Sequence, residues 1–292
     1  MFGWTLGEEE SFAVLDTYRE AGGNFIDTAD VYGRRGAGTG SSEQIIGSWM
    51  AARGNRDELV IATKVGVAPE RRGLSAHTIA AACEESLARL QTDRIDLYYA
   101  HQDDPDTPVE ETLAAFGTLI AEEKIRYAAA SNYGPERLAQ AFELGRQAEL
   151  ASYVAVQEQY NLMERGYERE LEPLCAAHAV ACIPYYGLAR GFLTGKYRPG
   201  GPEIDSPRAA AVAERYLNDR GAAVLAALDE VSAAHGSSVA AVALCWLAAQ
   251  PTVLAPIASA RTTAQLGELL QFTELELSSE ELALLDAASE AA

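Results

Sequence analysis

The chain has no long hydrophobic segment, no excess of positive charge and no amino-terminal targeting pattern. Its 292 residues contain no run of 18 apolar side chains, so we expect no membrane-spanning helix. The formal net charge of −20 disfavours binding to nucleic acid or to an anionic membrane through bulk electrostatics. Residues 1–10 lack the basic start and apolar centre of a signal peptide, so the expected location is the cytoplasm.

Cysteine is also scarce, and its four copies are not arranged for metal binding. Cys83, Cys175, Cys182 and Cys245 lie far apart in apolar segments, without a CxxC pair or metal-ligand spacing. We therefore expect reduced thiols in the core and no metal site. Linkers rich in Pro, Gly or Ser are absent as well, so residues 1–292 are predicted to form one domain.

The segments that are present alternate between strand and helix. Short runs such as LVIA and YVAV are separated by helical patterns, which favours a parallel sheet with crossover helices. No GxGxxG motif follows an early strand, which counts against a doubly wound dinucleotide fold. An α/β fold of the (β/α)8 TIM-barrel type fits better, although seven strands are found. The predicted strands are 24–29, 59–66, 94–102, 125–131, 153–159, 180–186 and 252–258, and the predicted helices are 8–23, 41–55, 74–91, 108–122, 135–148, 168–178, 220–235, 238–249, 263–271 and 279–288.

Four side chains of different acid–base types follow the first three strands. Asp27 ends the strand in NFIDTADVY, and Tyr32 comes five residues later. Lys64 ends the strand in IATKVG, and His101 ends the strand in LYYAHQ. Parallel barrel strands end at one rim, so these side chains can converge on one pocket. Alone, Lys64 could be a structural salt-bridge partner and His101 a structural hydrogen-bonding group, but their joint occurrence favours a catalytic site.

From residue 24 nearly to the carboxyl terminus, the chain resembles the aldo-keto reductase family in its ordered motifs. These are NFIDTADVY, SSEQIIG, IATKVG, LYYAHQ, ASNY, VAVQEQYNL, PYYGLARGFLTGKY and PIASARTTAQLGELL. The GFLTGKY motif and the long carboxyl-terminal part resemble the bacterial branch that is related to the potassium-channel β-subunits.

This resemblance implies reduction of an aldehyde or ketone to an alcohol, with hydride from NADPH and a proton from a tyrosine at the position of Tyr32. An ammonium about 4 Å from a phenol stabilises the phenolate by up to ~4 kcal/mol at an effective dielectric near 20. Lys64 is therefore expected to lower the pKa of Tyr32 by roughly one to three. Asp27 would hold Lys64 charged and aimed, and His101 would donate a hydrogen bond to the substrate oxygen.

The same resemblance implies residues that bind the cofactor. Ser131, Asn132 and Gln157 match a clamp on the nicotinamide carboxamide, although a turn that caps the next helix is an alternative for Ser131 and Asn132. An aromatic ring that ends the strand 180–186 would stack on the nicotinamide, and the glycine-containing segment after it would line the pyrophosphate. The residues in these positions are Tyr185, with Tyr186 beside it, and Leu188, Gly191 and Lys196, with Arg190 either joining them or solvated.

A further set matches the family's site for the adenosine 2′-phosphate. In SARTTAQLGE a helix begins at about Thr262, and its free N–H groups form an anion site together with Arg261. Ser259, Arg261 and Gln265 match positions that hold the phosphate, and Glu268 matches a position that faces adenine. No acidic residue is placed to read a 2′-hydroxyl, so NADPH is preferred over NADH. A solvated Arg261 is the alternative.

The amino-terminal end departs from the family pattern, and the substrate is left open. Met1 follows the point at which the family's amino-terminal hairpin and first strand should have ended, which predicts a partly open barrel or a strand borrowed from a partner. The segments that set selectivity in this family correspond to the region around Trp4, Arg34–Gly40 and Tyr197–Tyr216. The parts RRGAGTG and RPGGPEIDSPRA are polar, and the three segments indicate no particular substrate.

Two other classes of function stay open. A class I-type aldolase on the same barrel would use Lys64 to form a Schiff base, which requires a neutral amine and is opposed by a nearby Asp27. A non-catalytic NADPH-binding module, like the channel-associated relatives, would bind the cofactor without turnover. The expected partners are a small carbonyl substrate and the cofactor, and an oligomer is compatible with the sequence.

Overall fold

A computed structural model describes residues 1–34, 36–147, 150–204, 206 and 208–290. The chain divides into two units: the first comprises Met1–Gln157, Ala177–Val180 and Ser259–Thr263, and the second comprises Glu158–Ala176, Ala181–Ala258 and Ala264–Ala292. That residues 1–292 act as a single domain stays a prediction.

The first unit contains five parallel strands separated by helices. Each strand pairs with the next one along the chain, so the sheet order follows the sequence. Parallel pairing with helical crossovers places all the carboxyl-terminal strand ends at one edge. The strands are β1 (Phe25–Asp27), β2 (Val60–Val65), β3 (Ile95–Ala100), β4 (Ile125–Ser131) and β5 (Tyr153–Gln157), and the helices are α1 (Glu8–Glu20), α2 (Ser41–Arg53), α3 (Ala76–Leu90), α4 (Val109–Ala121) and α5 (Pro135–Leu144).

The core of the first unit is built on β3 and a chain of aromatic rings. All six residues of β3 are buried, which is typical of a parallel strand that is covered on both faces. The rings of Tyr98, Phe116, Tyr153 and Tyr133 meet edge to face, with successive centroids 5.7, 6.2 and 5.8 Å apart. Such pairs contribute about 0.5–1.5 kcal/mol each beyond the area that they bury. They join α4 to the sheet and fix the strands whose ends carry the site.

Local signals in the sequence account for several helix ends. The hydroxyl of Ser75 accepts a hydrogen bond from the Thr78 N–H at 3.3 Å, which confirms the predicted cap of α3. Gly54 follows α2 with φ of 62°, a left-handed conformation that glycine adopts without strain.

The second unit is mainly helical. Among its described residues the one strand is β6 (Ala181–Cys182), and Cys182 also forms an isolated parallel bridge with Val253. No single described helix is long and apolar enough to cross a membrane. The helices Asp219–His235 and Val239–Ala248 meet the length and composition criteria only as a pair bent by 99°. The helices that lie wholly or mainly in this unit are α6 (Tyr167–Ala177), α7 (Ala209–Tyr216), α8 (Asp219–His235), α9 (Val239–Ala248), α10 (Thr263–Leu270) and α11 (Ser279–Glu290).

Two predicted strands need correction. The segment 180–186 contributes only the two residues of β6, and the segment 252–258 contributes only the bridge at Val253. Pro184 and Pro256 lie in these segments, and proline has no N–H to donate to a neighbouring strand. The sequence also gives no indication of α7.

The predicted parallel α/β order is confirmed, but the closed barrel is not. The described residues contain six strands and do not form a closed eight-stranded barrel. On β1, Phe25 bonds to a side chain: its N–H donates to Tyr18 Oη at 3.3 Å, and Tyr18 Oη donates to its carbonyl at 3.1 Å. Tyr18 thereby satisfies backbone groups that a neighbouring strand would otherwise bind. A strand borrowed from a partner stays a prediction.

Candidate active site

The four predicted catalytic side chains lie together at the carboxyl-terminal ends of neighbouring strands. Asp27 is the last residue of β1, Lys64 is the penultimate residue of β2, and His101 directly follows β3. These strands are parallel neighbours, so their ends meet. Tyr32 lies in the turn after β1, where its N–H donates to the carbonyl of Ala29 at 3.1 Å.

Lys64 and Asp27 form a buried ion pair. The Lys64 Nζ lies 2.5 Å from Asp27 Oδ1 and also donates to the carbonyl of Thr28 at 2.7 Å. Lys64 is fully buried, and a charge in that position requires a partner. Burial lowers the pKa of Lys64. The charge of Asp27, then that of Tyr32, and hydrogen bonds to both residues raise this pKa by more than burial lowers it, so the net change is upward. The site therefore holds an ammonium ion.

The phenol of Tyr32 lies beside this ammonium. The Lys64 Nζ is 5.0 Å from the centre of the Tyr32 ring and 5.6 Å from the centre of the Tyr99 ring. Tyr32 is 38% exposed, so part of its side chain is accessible to a molecule from solution. A neighbouring cation stabilises the phenolate relative to the phenol, which makes Tyr32 a suitable proton donor.

His101 is held next to Tyr32 as a neutral ring. The two ring centroids are 5.8 Å apart, and the planes meet at 82°. Burial, and then the charge of Lys64, lower the pKa of His101 to about 3. Its Nδ1 is buried and has no hydrogen-bond partner in the described part of the chain. A neutral imidazole carries one N–H, so His101 can donate one hydrogen bond to a ligand without carrying charge.

The predicted carboxamide clamp lies against the same residues. Ser131 Oγ donates to the carbonyl of Gln157 at 2.7 Å and accepts from Asn132 Nδ2 at 2.9 Å. Asn132 Nδ2 also donates to the carbonyl of His101 at 3.0 Å. Gln157 Nε2 donates to Asp27 Oδ2 at 2.9 Å, a contact across 130 positions that the sequence does not indicate. The structure thus brings seven predicted site residues together in the first unit.

In the second unit, Tyr185 and Tyr186 lie side by side. Their ring centroids are 5.1 Å apart with an angle of 69° between the planes, and Tyr185 forms an isolated parallel bridge with Gln159. The Arg190 guanidinium lies 4.3 Å from the centre of the Tyr186 ring. Arg190, which the sequence leaves as a ligand or a solvated residue, therefore makes a cation–π contact.

The segment after these tyrosines turns through left-handed backbone. Ala189, Arg190 and Gly191 have φ of 45°, 61° and 98°, and the Gly191 N–H donates to the carbonyl of Leu188 at 2.8 Å. A Cβ atom at Gly191 would lie 3.5 Å from the Nζ of Lys196. Bare backbone next to an ammonium is suited to a phosphate, so this segment fits the predicted pyrophosphate site.

The predicted 2′-phosphate residues lie on or just before α10, which begins at Thr263, the first residue of the predicted helix 263–271. Ser259 and Arg261 precede the helix and belong to the first unit, whereas Gln265 and Glu268 lie on the helix and belong to the second unit. All four residues are exposed, so they are accessible to a ligand.

A sequence comparison decides the family. The profile of the Aldo/keto reductase family matches residues 1–290. The chain belongs to this family. It is 34% identical to the norsolorinic acid reductase stcV of Emericella nidulans, over 94% of this chain and 70% of that protein. It is 33% identical to a probable voltage-gated potassium channel subunit beta of Oryza sativa subsp. japonica, over 91% of this chain and 83% of that protein.

A third relative bears on the cofactor. The chain is 29% identical to the aryl-alcohol dehydrogenase [NADP(+)] of Phanerodontia chrysosporium, over 97% of this chain and 76% of that protein. The family and the relatives named as a reductase and as an alcohol dehydrogenase identify this aldo/keto reductase as an oxidoreductase. The predicted relation to the potassium-channel β-subunits is confirmed.

Sequence reasoning misses two buried acids of this aldo/keto reductase. Glu43 Oε1 accepts from Thr63 Oγ1, and its Oε2 accepts from Arg89 Nε, both at 2.6 Å. Asp30 is 3% exposed, and neither oxygen of its carboxyl has a hydrogen-bond partner among the described residues. Burial, followed by the charge of Glu43, raises the pKa of Asp30 to about 7. The available signal is the second acid of DTAD, which precedes Tyr32 by two residues.

The proposed selectivity segments are only partly described. In the first unit, the Ala37 N–H donates to the carbonyl of Gly3 at 2.7 Å, and a Cβ at Gly36 would lie 2.8 Å from the Cα of Trp4. These segments thus line one open cleft of about 630 Å³. Arg35 of the segment Arg34–Gly40, and Asp205 and Pro207 of the segment Tyr197–Tyr216, lie outside the described residues.

Proposed function

We propose that this aldo/keto reductase catalyses the NADPH-dependent reduction of an aldehyde or ketone to an alcohol. The observation that carries the proposal is the fully buried Lys64 ammonium, which is bound to Asp27 and lies 5.0 Å from the ring of Tyr32. This arrangement makes the phenol of Tyr32 more acidic, while Tyr32 remains 38% exposed.

In the proposed reaction, the Tyr32 hydroxyl donates its proton to the carbonyl oxygen. The O–H bond of Tyr32 breaks, an O–H bond forms on the product, and a phenolate remains. The Lys64 ammonium stabilises that phenolate by up to ~4 kcal/mol at a separation near 4 Å and an effective dielectric near 20. Asp27 keeps Lys64 charged and directed at the phenol. Proton uptake from solvent restores Tyr32.

His101 would orient the carbonyl group before proton transfer. Its neutral ring donates one hydrogen bond to the carbonyl oxygen and so holds that oxygen near the Tyr32 hydroxyl. A charged imidazolium would repel Lys64, and the low pKa of His101, about 3, prevents that charge near neutral pH. We therefore assign positioning to His101 and proton transfer to Tyr32.

The bound cofactor, a reduced nicotinamide dinucleotide, supplies the hydride that adds to the carbonyl carbon. Ser131, Asn132 and Gln157 would hold its carboxamide, and Tyr185 would stack on its ring. The residues that would hold its phosphates and adenosine are Leu188, Gly191 and Lys196 for the pyrophosphate, with Tyr186 beside them, Ser259, Arg261 and Gln265 for the 2′-phosphate, and Glu268 for adenine.

NADPH is proposed over NADH because of the exposed cation before α10. Arg261 precedes that helix by two residues, and both an arginine and a helix N-terminus favour a phosphate. The relative from Phanerodontia chrysosporium carries NADP(+) in its name.

The test is turnover of a panel of aromatic aldehydes and ketones, including 4-nitrobenzaldehyde, with NADPH oxidation followed by absorbance. Aromatic carbonyls are chosen because one relative is an aryl-alcohol dehydrogenase. We expect Tyr32→Phe to lower kcat by about 100-fold or more, because general acid catalysis contributes roughly 10²–10⁴. Binding of NADPH, measured by quenching of protein fluorescence, should change by less than about twofold, since no cofactor contact is removed.

The control is Tyr127→Phe, which removes the hydroxyl of an exposed tyrosine on β4. We expect this variant to match the wild type in both turnover and binding. Unchanged kcat in Tyr32→Phe would remove Tyr32 from the mechanism, and a wild type that turns over no member of the panel would reject the reductase for this substrate class.

A non-catalytic NADPH-binding module is the second candidate, since one relative is named as a potassium channel subunit. Binding of NADPH without turnover in the same assay would favour it. A Schiff-base aldolase is less compatible with the site, because the raised pKa of Lys64 opposes the neutral amine that such a reaction needs. Borohydride trapping of substrate on Lys64 would support the aldolase.

A further inference from the structure

The two oxygens of the Asp27 carboxylate have different partners. Oδ1 binds the Lys64 ammonium at 2.5 Å, and Oδ2 accepts from the Gln157 amide at 2.9 Å. The terminal torsion of an aspartate has broad minima, so a single contact leaves the carboxylate free to rotate. Two contacts on opposite oxygens fix its plane and therefore the direction in which Asp27 holds Lys64.

Gln157 is itself held in place by its surroundings. It is the last residue of β5 and is 2% exposed. It pairs in register with Ser131 of β4, whose hydroxyl donates to the Gln157 carbonyl at 2.7 Å. The residue that fixes Asp27 is thus anchored to the sheet.

We propose that Gln157 is a positioning residue that acts on the reduction through Asp27, in addition to its expected contact with the cofactor. The inference rests on the proposed function. The side-chain amide has two N–H groups and one carbonyl oxygen, and the bond to Asp27 uses one N–H. The second N–H and the oxygen are left for the nicotinamide carboxamide. Gln157 therefore connects the expected nicotinamide site to the Asp27–Lys64 pair, which lowers the pKa of Tyr32.

A double-mutant cycle separates this role from cofactor binding. We compare Gln157→Leu in the wild type and in Asp27→Asn, measuring kcat at saturating NADPH and the dissociation constant of NADPH. Gln157→Leu should lower kcat by about 10-fold in the wild type and by less than about twofold in Asp27→Asn, because residues that act as a unit are not additive. The dissociation constant should change by the same factor in both backgrounds.

Gln157→Glu gives a signature in pH that a structural role would not produce. A neutral carboxylic acid of the same length can donate its O–H to Asp27, whereas an ionised one repels it. Relative to the wild type at each pH, kcat of Gln157→Glu should therefore recover at least about threefold as the pH falls across the titration of the introduced carboxyl, near or above its ordinary pKa of ~4.3.

A measurement on the cofactor-free protein does not depend on turnover. With ¹⁵N-labelled glutamine side chains, the Gln157 amide signal is assigned by its loss in Gln157→Leu. We expect at least one of its protons to exchange with solvent about 10-fold more slowly in the wild type than in Asp27→Ala, since a hydrogen-bonded, buried amide is protected. Cooperative thermal unfolding of each variant verifies its fold.

Equal losses of kcat in the two backgrounds would overturn the positioning role and leave Gln157 as a cofactor ligand. Unchanged amide exchange in Asp27→Ala would overturn the contact itself. If the wild type shows no turnover, the proposed reduction is rejected, but the contact between Gln157 and Asp27 is still tested. The amide exchange of Gln157 in the wild type and in Asp27→Ala then decides whether Gln157 fixes Asp27.

Discussion

The candidate site residues of the two units are built in different ways. In the first unit the predicted catalytic residues and the carboxamide clamp lie at or shortly after the ends of regular parallel strands, and the charges of Lys64 and Asp27 are buried against each other. In the second unit the predicted pyrophosphate residues lie on irregular backbone, where Ala189, Arg190 and Gly191 have left-handed φ values. The ammonium of the first unit is fully buried, whereas Lys196 of the second is exposed.

The buried set of residues and the exposed set meet two different requirements of the proposed reaction, acid–base chemistry and phosphate binding. Acid–base chemistry needs charges held at fixed distances in a low-dielectric surrounding, which the core of a sheet provides. Phosphate binding needs accessible N–H groups and cations, which glycine-containing loops provide. We therefore expect changes in the first set to alter stability and chemistry together, and changes in the second set to alter cofactor binding alone.

The largest expected effect on stability is that of Lys64→Met. This change leaves Asp27 buried without its cation, and breaking a buried pair typically costs about 3–5 kcal/mol in the free energy of unfolding. Urea denaturation measures the change. Adding Asp27→Asn should restore part of the loss, since it removes the unpaired charge. Lys196→Met is the matched control in the second unit, and its free energy of unfolding should change by less than about 0.5 kcal/mol. Equal losses of unfolding free energy in Lys64→Met and Lys196→Met would contradict the proposed difference between the two units.

Asp30→Asn should make the protein more stable near neutral pH. The pKa of Asp30 is raised from 3.8 to about 7, so the folded state keeps a proton that the unfolded state releases. The wild type therefore loses up to about 1.4 kcal/mol of unfolding free energy per pH unit between about pH 4 and pH 7, and the variant does not. Urea denaturation at several pH values measures the difference, which should vanish near pH 4. A variant less stable than the wild type at pH 7 would show that Asp30 is ionised and paired. The charges that face Asp30 are Glu43, Arg89 and Lys64.

His101→Gln should reveal a pH dependence of the opposite sign. The pKa of His101 is lowered from 6.5 to about 3, so between these values the unfolded state binds a proton that the folded state does not. Folding stability due to this residue is present above pH 6.5 and falls as the pH drops towards 3, by up to about 1.4 kcal/mol per unit. The same denaturation series should show a weaker loss of stability on the acid side for His101→Gln. If the wild type and His101→Gln lose the same unfolding free energy as the pH falls, the pKa of His101 is not lowered in the folded state.

Arg261→Ala should have the smallest effect, confined to the cofactor. We expect the dissociation constant of NADPH to rise about 10-fold, because one charge-assisted hydrogen bond contributes roughly 1.5–3 kcal/mol. Binding of NADH should stay within about twofold, since NADH has no 2′-phosphate. Fluorescence quenching measures both. Equal weakening of the two cofactors would show that Arg261 does not read the phosphate.

The sequence predicts the residues whose positions follow from local order. Asp27, Lys64 and His101 end short apolar runs, and parallel strands bring such ends together without further information. Helix ends with their own chemistry, such as Ser75 before α3, are predictable for the same reason. The strand expected at 252–258 fails because Pro256 interrupts an apolar run that otherwise reads as a strand.

Contacts between distant segments are not predictable from local order. The bond from Gln157 to Asp27 spans 130 positions and depends on the exact register of β4 and β5. The sequence also does not indicate that the Asp30 carboxyl is buried without a hydrogen-bond partner, because the second acid of DTAD is typical of a solvated turn residue. The charges that act on the pKa of that carboxyl include Glu43 of α2 and Arg89 of α3, which are distant from Asp30 in the sequence.

The most direct test of the account is the ionisation of Lys64 in the folded, cofactor-free protein. The chain contains only three lysines, Lys64, Lys124 and Lys196, so lysine labelled with ¹³C at Cε gives three signals, and Lys64→Met assigns the one of interest. We predict that Lys64 remains mostly protonated at pH 10.5, where an ordinary lysine is half titrated, because Asp27 and Tyr32 hold its pKa above that value against the effect of burial. A Lys64 signal that titrates below pH 10.5 would show a desolvated, neutral amine and would contradict the proposed source of acidity for Tyr32.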